Sequence, residues 1–158
     1  MEITHLSTSE KMIYPVGDYL SENYDIFDSM TEGIVNILEN YPNIKAINFW
    51  TTGSSGPIVA SFIIPKLKKD YKCSIVHIKK AEEISHSRSF PIAGNTINII
   101  TDDFICSGKS IERIFNAMIN DYSYFIWHNV IVCVSGYVPN NIFDKMGFEP
   151  DYLICGSN

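Results

Sequence analysis

Apolar residues recur along this chain at two periods, and the switching between them outlines the elements. From Ile26 to about Tyr41, the residues Ile26, Phe27, Met30, Ile34, Ile37 and Leu38 fall three and four apart, the spacing of one helix face. Pro42-Asn43 ends that pattern. Ile44 to Trp50 reads as a strand and runs into the small-residue loop Thr51-Thr52-Gly53-Ser54-Ser55-Gly56. Behind it, Ile58, Val59, Phe62, Ile63 and Leu67 predict a second helix, with Pro57 tolerated in its first turn and Pro65 a kink or early stop. Cys73 to Ile78 predicts a strand, and the polar, aperiodic stretch 79–91 predicts a long loop. Ile97 to Thr101 is a further strand, and a helix follows from Ser110 with Ile111, Ile114, Phe115 and Met118 on one face. Asn129 to Val134 predicts a buried strand, and the tail 138–154 a short helix and a last strand. Residues 1–25 are mixed and polar, and are expected over one edge of the domain.

Strands that alternate with helices predict an α/β fold with an open, mainly parallel sheet and helices on both faces. In such sheets ligands bind outside the carboxyl ends of the strands, which directs attention to two strand-to-helix junctions. At one, Asp102 and Asp103 are followed by Cys106-Ser107-Gly108-Lys109-Ser110. Gly108 allows a tight turn and a close backbone approach, the serines add hydroxyl donors, and the free amides of a helix start form an anion site. Two carboxylates beside an anion cradle suit a ligand that carries phosphate together with sugar hydroxyls or a bound Mg²⁺. The junction at Thr52, Gly53, Ser54, Ser55 and Gly56 repeats the cradle chemistry. A plainer alternative remains at both places: carboxylates that merely cap a loop, and glycines that merely permit a turn. Ser-Gly-Lys-Ser is not a Walker loop, because the Gly required five positions before the Gly-Lys pair is Asp103. No Gly-x-Ser-x-Gly elbow is present, which argues against a small hydrolase.

At 158 residues, 46% hydrophobic and 19% charged, the chain is expected to form one globular domain, 1–158. A net charge of −6 without a Lys/Arg stripe argues against nucleic acid as a partner. The same charge opposes a polyanionic substrate unless local lysines and a divalent metal reverse the field, a reason to expect Mg²⁺. Cys73, Cys106, Cys133 and Cys155 lack any C-x-x-C spacing, so buried free thiols in a reducing compartment are expected, with no zinc site or disulfide framework. No cationic, apolar leader and no membrane-length apolar run is present, so a cytoplasmic protein without a membrane partner is expected.

The stretch Ile99-Ile100-Thr101-Asp102-Asp103-Phe104-Ile105-Cys106-Ser107-Gly108-Lys109-Ser110 resembles the signature of the type I phosphoribosyltransferases. These enzymes transfer ribose 5-phosphate from 5-phosphoribosyl-1-pyrophosphate (PRPP) to a nucleobase. The resemblance implies that Asp102 and Asp103 hold the ribose hydroxyls, directly or through Mg²⁺ and water. It implies that Cys106, Ser107, Gly108, Lys109 and Ser110 wrap the 5′-phosphate, and that Thr52, Gly53, Ser54, Ser55 and Gly56 bind pyrophosphate. The 79–91 loop is similar to a mobile cover, with Lys79 a pyrophosphate ligand and Lys80 a catalytic residue, and it resembles the orotate branch. Purine-specific members typically carry an acidic residue where Cys106 stands, so an orotate-like or other non-purine base is expected. The tail is similar to the part that covers the base, with Val138, Phe143 and Phe148 as stacking candidates. A homodimer is a further implication of the family, as is a non-catalytic module that senses PRPP or a nucleotide, which the lack of Lys or Arg in the Thr52–Gly56 loop favours.

Overall fold

A computed structural model describes residues 24–79, 95–105, 107–122, 130–136, 138–147 and 149–156. In chain order these form α1 (Tyr24–Leu38), β1 (Ala46–Thr52), α2 (Ser55–Leu67), β2 (Lys72–Ile78), β3 (Thr96–Asp102), α3 (Lys109–Tyr122), β4 (Val130–Val134), α4 (Ile142–Met146) and β5 (Tyr152–Cys155). The strands make one sheet in the order β2-β1-β3-β4-β5, and every neighbouring pair is parallel.

The two periods seen in the sequence sort the side chains into two cores. Phe27, Met30, Ile34 and Leu38 of α1 and Val59, Ala60, Ile63 and Leu67 of α2 pack on Ile47, Phe49, Ile97, Ile99 and Ile131, one face of the sheet. Phe27 and Phe62 stack at 4.8 Å between the two helices. On the other face, Ile111, Ile114, Ala117 and Met118 of α3 meet Trp50, Val76, Ile78, Ile100, Val132 and Val134. β1 and β3 are buried at every position, which is why their sequences read as mostly apolar rather than alternating with exposed polar residues. Two buried polar pairings tie the core together: Trp50 Nε1 donates to Asn98 Oδ1 at 2.9 Å, and Thr31 donates to the Phe27 carbonyl at 2.7 Å.

Three expectations are corrected. β1 continues through Thr52, so the loop after it is Gly53-Ser54 alone. Pro65 does not stop α2 early, since the helix runs on to Leu67. Ile63 and Leu67 are anchored in the core, and Lys68 N–H closes the last turn on the Ile64 carbonyl. Of the thiols, Cys133 is buried, but Cys73 is half-buried and Cys155 is exposed, because β2 and β5 are the sheet edges and an apolar run does not reveal an edge. Residues 1–23, most of the 79–91 loop including Lys80, and also Cys106, His128 and Phe148 lie outside the described residues.

Candidate functional site

Strand order reverses between β1 and β3: the chain leaves β1 toward β2 on one side, then returns to lay β3 on the other. A crevice opens at such a switch point. Here it is a cleft of about 240 Å³ walled by Thr52 to Ser55 after β1 and by Asp102 to Ile105 and Ser107 to Ile111 after β3. The structure therefore brings both sequence-predicted loops and both carboxylates to one place.

The β1 junction turns on Gly53, whose φ of +65° suits glycine. Ser54 is exposed, sits at the α2 N-cap and makes no side-chain capping bond, so α2 presents its first-turn amides at the cleft. Thr52 also lines the cleft, but its hydroxyl donates to the Ile78 carbonyl at 2.9 Å and fastens β1 to β2. Gly56 takes a packing position and lines no part of the cleft: it is buried, and a Cβ there would stand 2.7 Å from the Thr101 carbonyl. Thr101 Oγ1 donates to the Gly56 carbonyl at 3.1 Å, seating α2 on β3.

At the β3 junction, Gly108 has φ +77° and its carbonyl accepts the first helical bond from Glu112 N–H at 2.9 Å. Ser107 Oγ accepts from Lys109 N–H over a long 3.4 Å. Lys109, exposed at the start of α3, is the cation among the described lining residues. Lys79 is exposed just beyond β2 and does not line the cleft.

The carboxylates do two things at once. Asp102 Oδ1 accepts Asp103 N–H at 2.9 Å, and Asp103 Oδ1 accepts Phe104 N–H at 2.7 Å, so each caps the loop while lining the cleft. The Asp103 carbonyl accepts Ser135 N–H, Gly136 N–H and the Ser135 hydroxyl at 2.9, 3.0 and 2.8 Å, tying the loop to the end of β4. Burial pushes the Asp102 carboxyl up to about 6, against a smaller lowering by the Asp103 N–H. Asp103 is raised by burial as well, opposed by main-chain N–H groups. Two carboxyls sunk in the rim with raised proton affinity make a place that favours a bound cation.

No family model matches the chain, and neither does any curated protein. Solved structures do. A hypoxanthine-guanine phosphoribosyltransferase from Bacillus anthracis superposes with a TM-score of 0.58 at 12% identity, over 85% of this chain and 77% of that one. A hypoxanthine phosphoribosyltransferase from Staphylococcus aureus gives 0.58 at 16% identity, over 85% and 73%. The Giardia lamblia APRTase, complexed with 9-deazaadenine, gives 0.58 at 14% identity, over 93% and 86%. The chain has the type I phosphoribosyltransferase fold.

Within that fold the described residues suit Mg²⁺. No group of three or more His, Cys, Asp or Glu gathers among them, yet Mg²⁺ asks for only one or two carboxylates and takes its remaining oxygens from water and substrate phosphates. Asp102 and Asp103 would hold it. Sequence reasoning missed Phe104, Ile105 and Ile111 as cleft walls and Ser135-Gly136 as the clamp. The clamp has a faint signal, a small-residue pair ending an apolar strand. A second hollow of about 360 Å³ lies along the tail, lined by Val138 to Asp144, Glu149 and Leu153. It includes Val138 and Phe143, two of the stacking candidates.

Proposed function

We propose that this protein transfers ribose 5-phosphate from PRPP to a nucleobase with the help of Mg²⁺. The reading is carried by one observation: two helix-start loops and two carboxylates share a single cleft at the switch point. A PRPP molecule divides its charges the same way. The Ser107–Ser110 loop takes the 5′-phosphate, and the Gly53–Ser55 turn takes the pyrophosphate through main-chain amides and serine hydroxyls. Asp102 and Asp103 face the ribose hydroxyls. In the reaction a base nitrogen bonds to the anomeric carbon as its bond to pyrophosphate oxygen breaks, and the base N–H proton leaves to solvent. Positive charge spreads over the ribose and negative charge onto the leaving group, so placement and fixed charges supply the rate, without a covalent nucleophile. Mg²⁺, when bound, neutralises developing pyrophosphate charge. Lys109 adds cationic charge beside the sugar phosphate; Lys79 and Lys80 are proposed for the pyrophosphate side, and Cys106 for the phosphate loop.

For the base we now favour a purine over the orotate-like acceptor that the sequence suggested. The three superposed proteins are named for hypoxanthine, guanine and adenine or bound to 9-deazaadenine. The tail hollow also offers Val138, Phe143 and Leu153 for stacking, with Asp144 and Glu149 but no cation among its lining, a poor match for a carboxylated base. The decisive experiment is the double substitution Asp102→Asn with Asp103→Asn. Base-dependent pyrophosphate release should fall at least about a hundredfold while the circular dichroism stays that of the parent; undiminished turnover refutes the assignment.

A PRPP-sensing module without catalysis is the second reading, favoured by the lack of Lys and Arg in the Gly53–Ser55 turn. It predicts that PRPP raises the melting temperature while no base is consumed.

A further inference from the structure

The two loops of the cleft stand on different cores. Behind the Gly53–Ser55 turn, Gly56 is wedged against the Thr101 carbonyl and Thr51. Val59 and Ala60, next along α2, belong to the core formed with α1. The Ser107–Ser110 loop rests on the opposite core: its flanking residues Ile105 and Ile111 are 1% and 0% exposed and cluster with Ile142 of α4. The contact is close. A Cβ on Gly108 would lie 2.8 Å from Met146 Sδ and 3.1 Å from Ile142 Cγ1, so the loop's turning residue lies directly against the tail helix. Ile142 also lines the tail hollow.

From this arrangement we infer that α4 is a positioning element for the sugar-phosphate half of the cleft alone, with Met146 and Ile142 as the positioning residues. The inference rests on the PRPP reading of the cleft. Met146 and Ile142 touch no part of a ligand in the cleft; they fix the height and tilt of the Gly108 peptide, and through it the amides that open α3. The Gly53–Ser55 turn has a separate foundation, so loosening α4 leaves it in place. Because Ile142 lines the tail hollow and packs against Gly108, a ligand in the tail hollow that presses on Ile142 alters phosphate-ester affinity, and by linkage the phosphate ester alters that ligand's affinity by the same factor.

The test measures two anions separately on the full chain by calorimetry in Mg²⁺: ribose 5-phosphate for one loop, pyrophosphate for the other. Met146→Ala should weaken ribose 5-phosphate about five- to tenfold, the cost of a slightly misplaced binding loop, and leave pyrophosphate within about twofold. Met146→Leu, which keeps the volume, should restore the parent affinity. Ile142→Val is the milder second variant; amide hydrogen exchange should quicken at residues 107–111 and stay unchanged at 53–56, a readout independent of any ligand. Equal weakening of both anions, or of neither, overturns the inference, as does faster exchange in both loops. A parent protein that binds neither anion would instead sink the functional reading, while the exchange pattern would still decide whether α4 supports one loop or both.

Discussion

At Asp102, burial and function pull in opposite directions. The carboxyl is 8% exposed and its proton affinity is raised from the usual 3.8 to about 6. A carboxyl raised on folding adds stability that is complete below the unfolded value and is lost as pH climbs through the folded one. The ligand-free protein should therefore grow more stable as pH drops from about 7 toward 4, by on the order of 2 kcal/mol from this group. Asp102→Asn should remove most of that pH dependence and raise the melting temperature at pH 7.5, where the parent holds a buried charge. Urea melts at pH 5 and pH 7.5 check both. Metal-assisted ligand binding should run the other way and fade below about pH 6, since a protonated carboxyl repels no cation but holds none. The glycines separate by the same local logic. Gly53→Ala adds a Cβ with nothing within 4 Å, so only the left-handed backbone costs, about 1–2 kcal/mol. Gly108→Ala adds that cost and a collision with Met146 and Ile142, about 2–4 kcal/mol in all.

At the scale of elements, the site depends on how closely a helix start can approach a strand. Gly56 lets α2 come within hydrogen-bond reach of β3, and the colliding atom for any larger residue is the Thr101 carbonyl, which is main chain and cannot swing aside. Gly56→Ala should thus destabilise by about 2–3 kcal/mol and also weaken pyrophosphate binding, because the amides of the first turn are pushed off the cleft; calorimetry with pyrophosphate on the folded fraction measures it. The spacing that predicted α1 and α3 was legible because each helix buries a single face, Phe27, Met30, Ile34 and Leu38 in one case and Ile111, Ile114 and Met118 in the other. The junction of β1 was read too early by two residues because Thr51 and Thr52 are polar, yet both are buried and pair with β2, Thr51 with His77 at 2.9 Å and Thr52 with Ile78. A polar residue whose hydroxyl serves a neighbouring strand looks in sequence like the start of a loop.

Across the whole molecule, the proposed function asks a protein of net charge −6 to hold a polyanion. The lysine at position 109 is the described cation of the cleft, so the balance has to come from helix-start amides and a divalent ion. PRPP with Mg²⁺ should accordingly raise the melting temperature by several degrees at about a hundred times its Kd, and the same PRPP in EDTA should raise it far less; equal shifts in a thermal melt would contradict this. Some of this was fixed by the residues themselves. Apolar spacing set the helices, continuous Ile and Val runs set the buried strands, and the order of strand, Asp102-Asp103, Gly108 and helix marked a junction suited to phosphate and sugar, because those signals are local and lie within a dozen residues. Tertiary structure decided what depends on chain segments distant in sequence. β2 lies outside β1, so β1 and β3 are neighbours, and their register, Ala46 on Thr96 through Trp50 on Ile100, carries Thr52 level with Asp102. That pairing merges two separate junctions into one cleft, turns Gly56 from a lining residue into a packing one, and sets Met146 beneath Gly108. No spacing along the chain encodes those contacts, since each arises where two hydrophobic faces of one sheet find different helices to cover them.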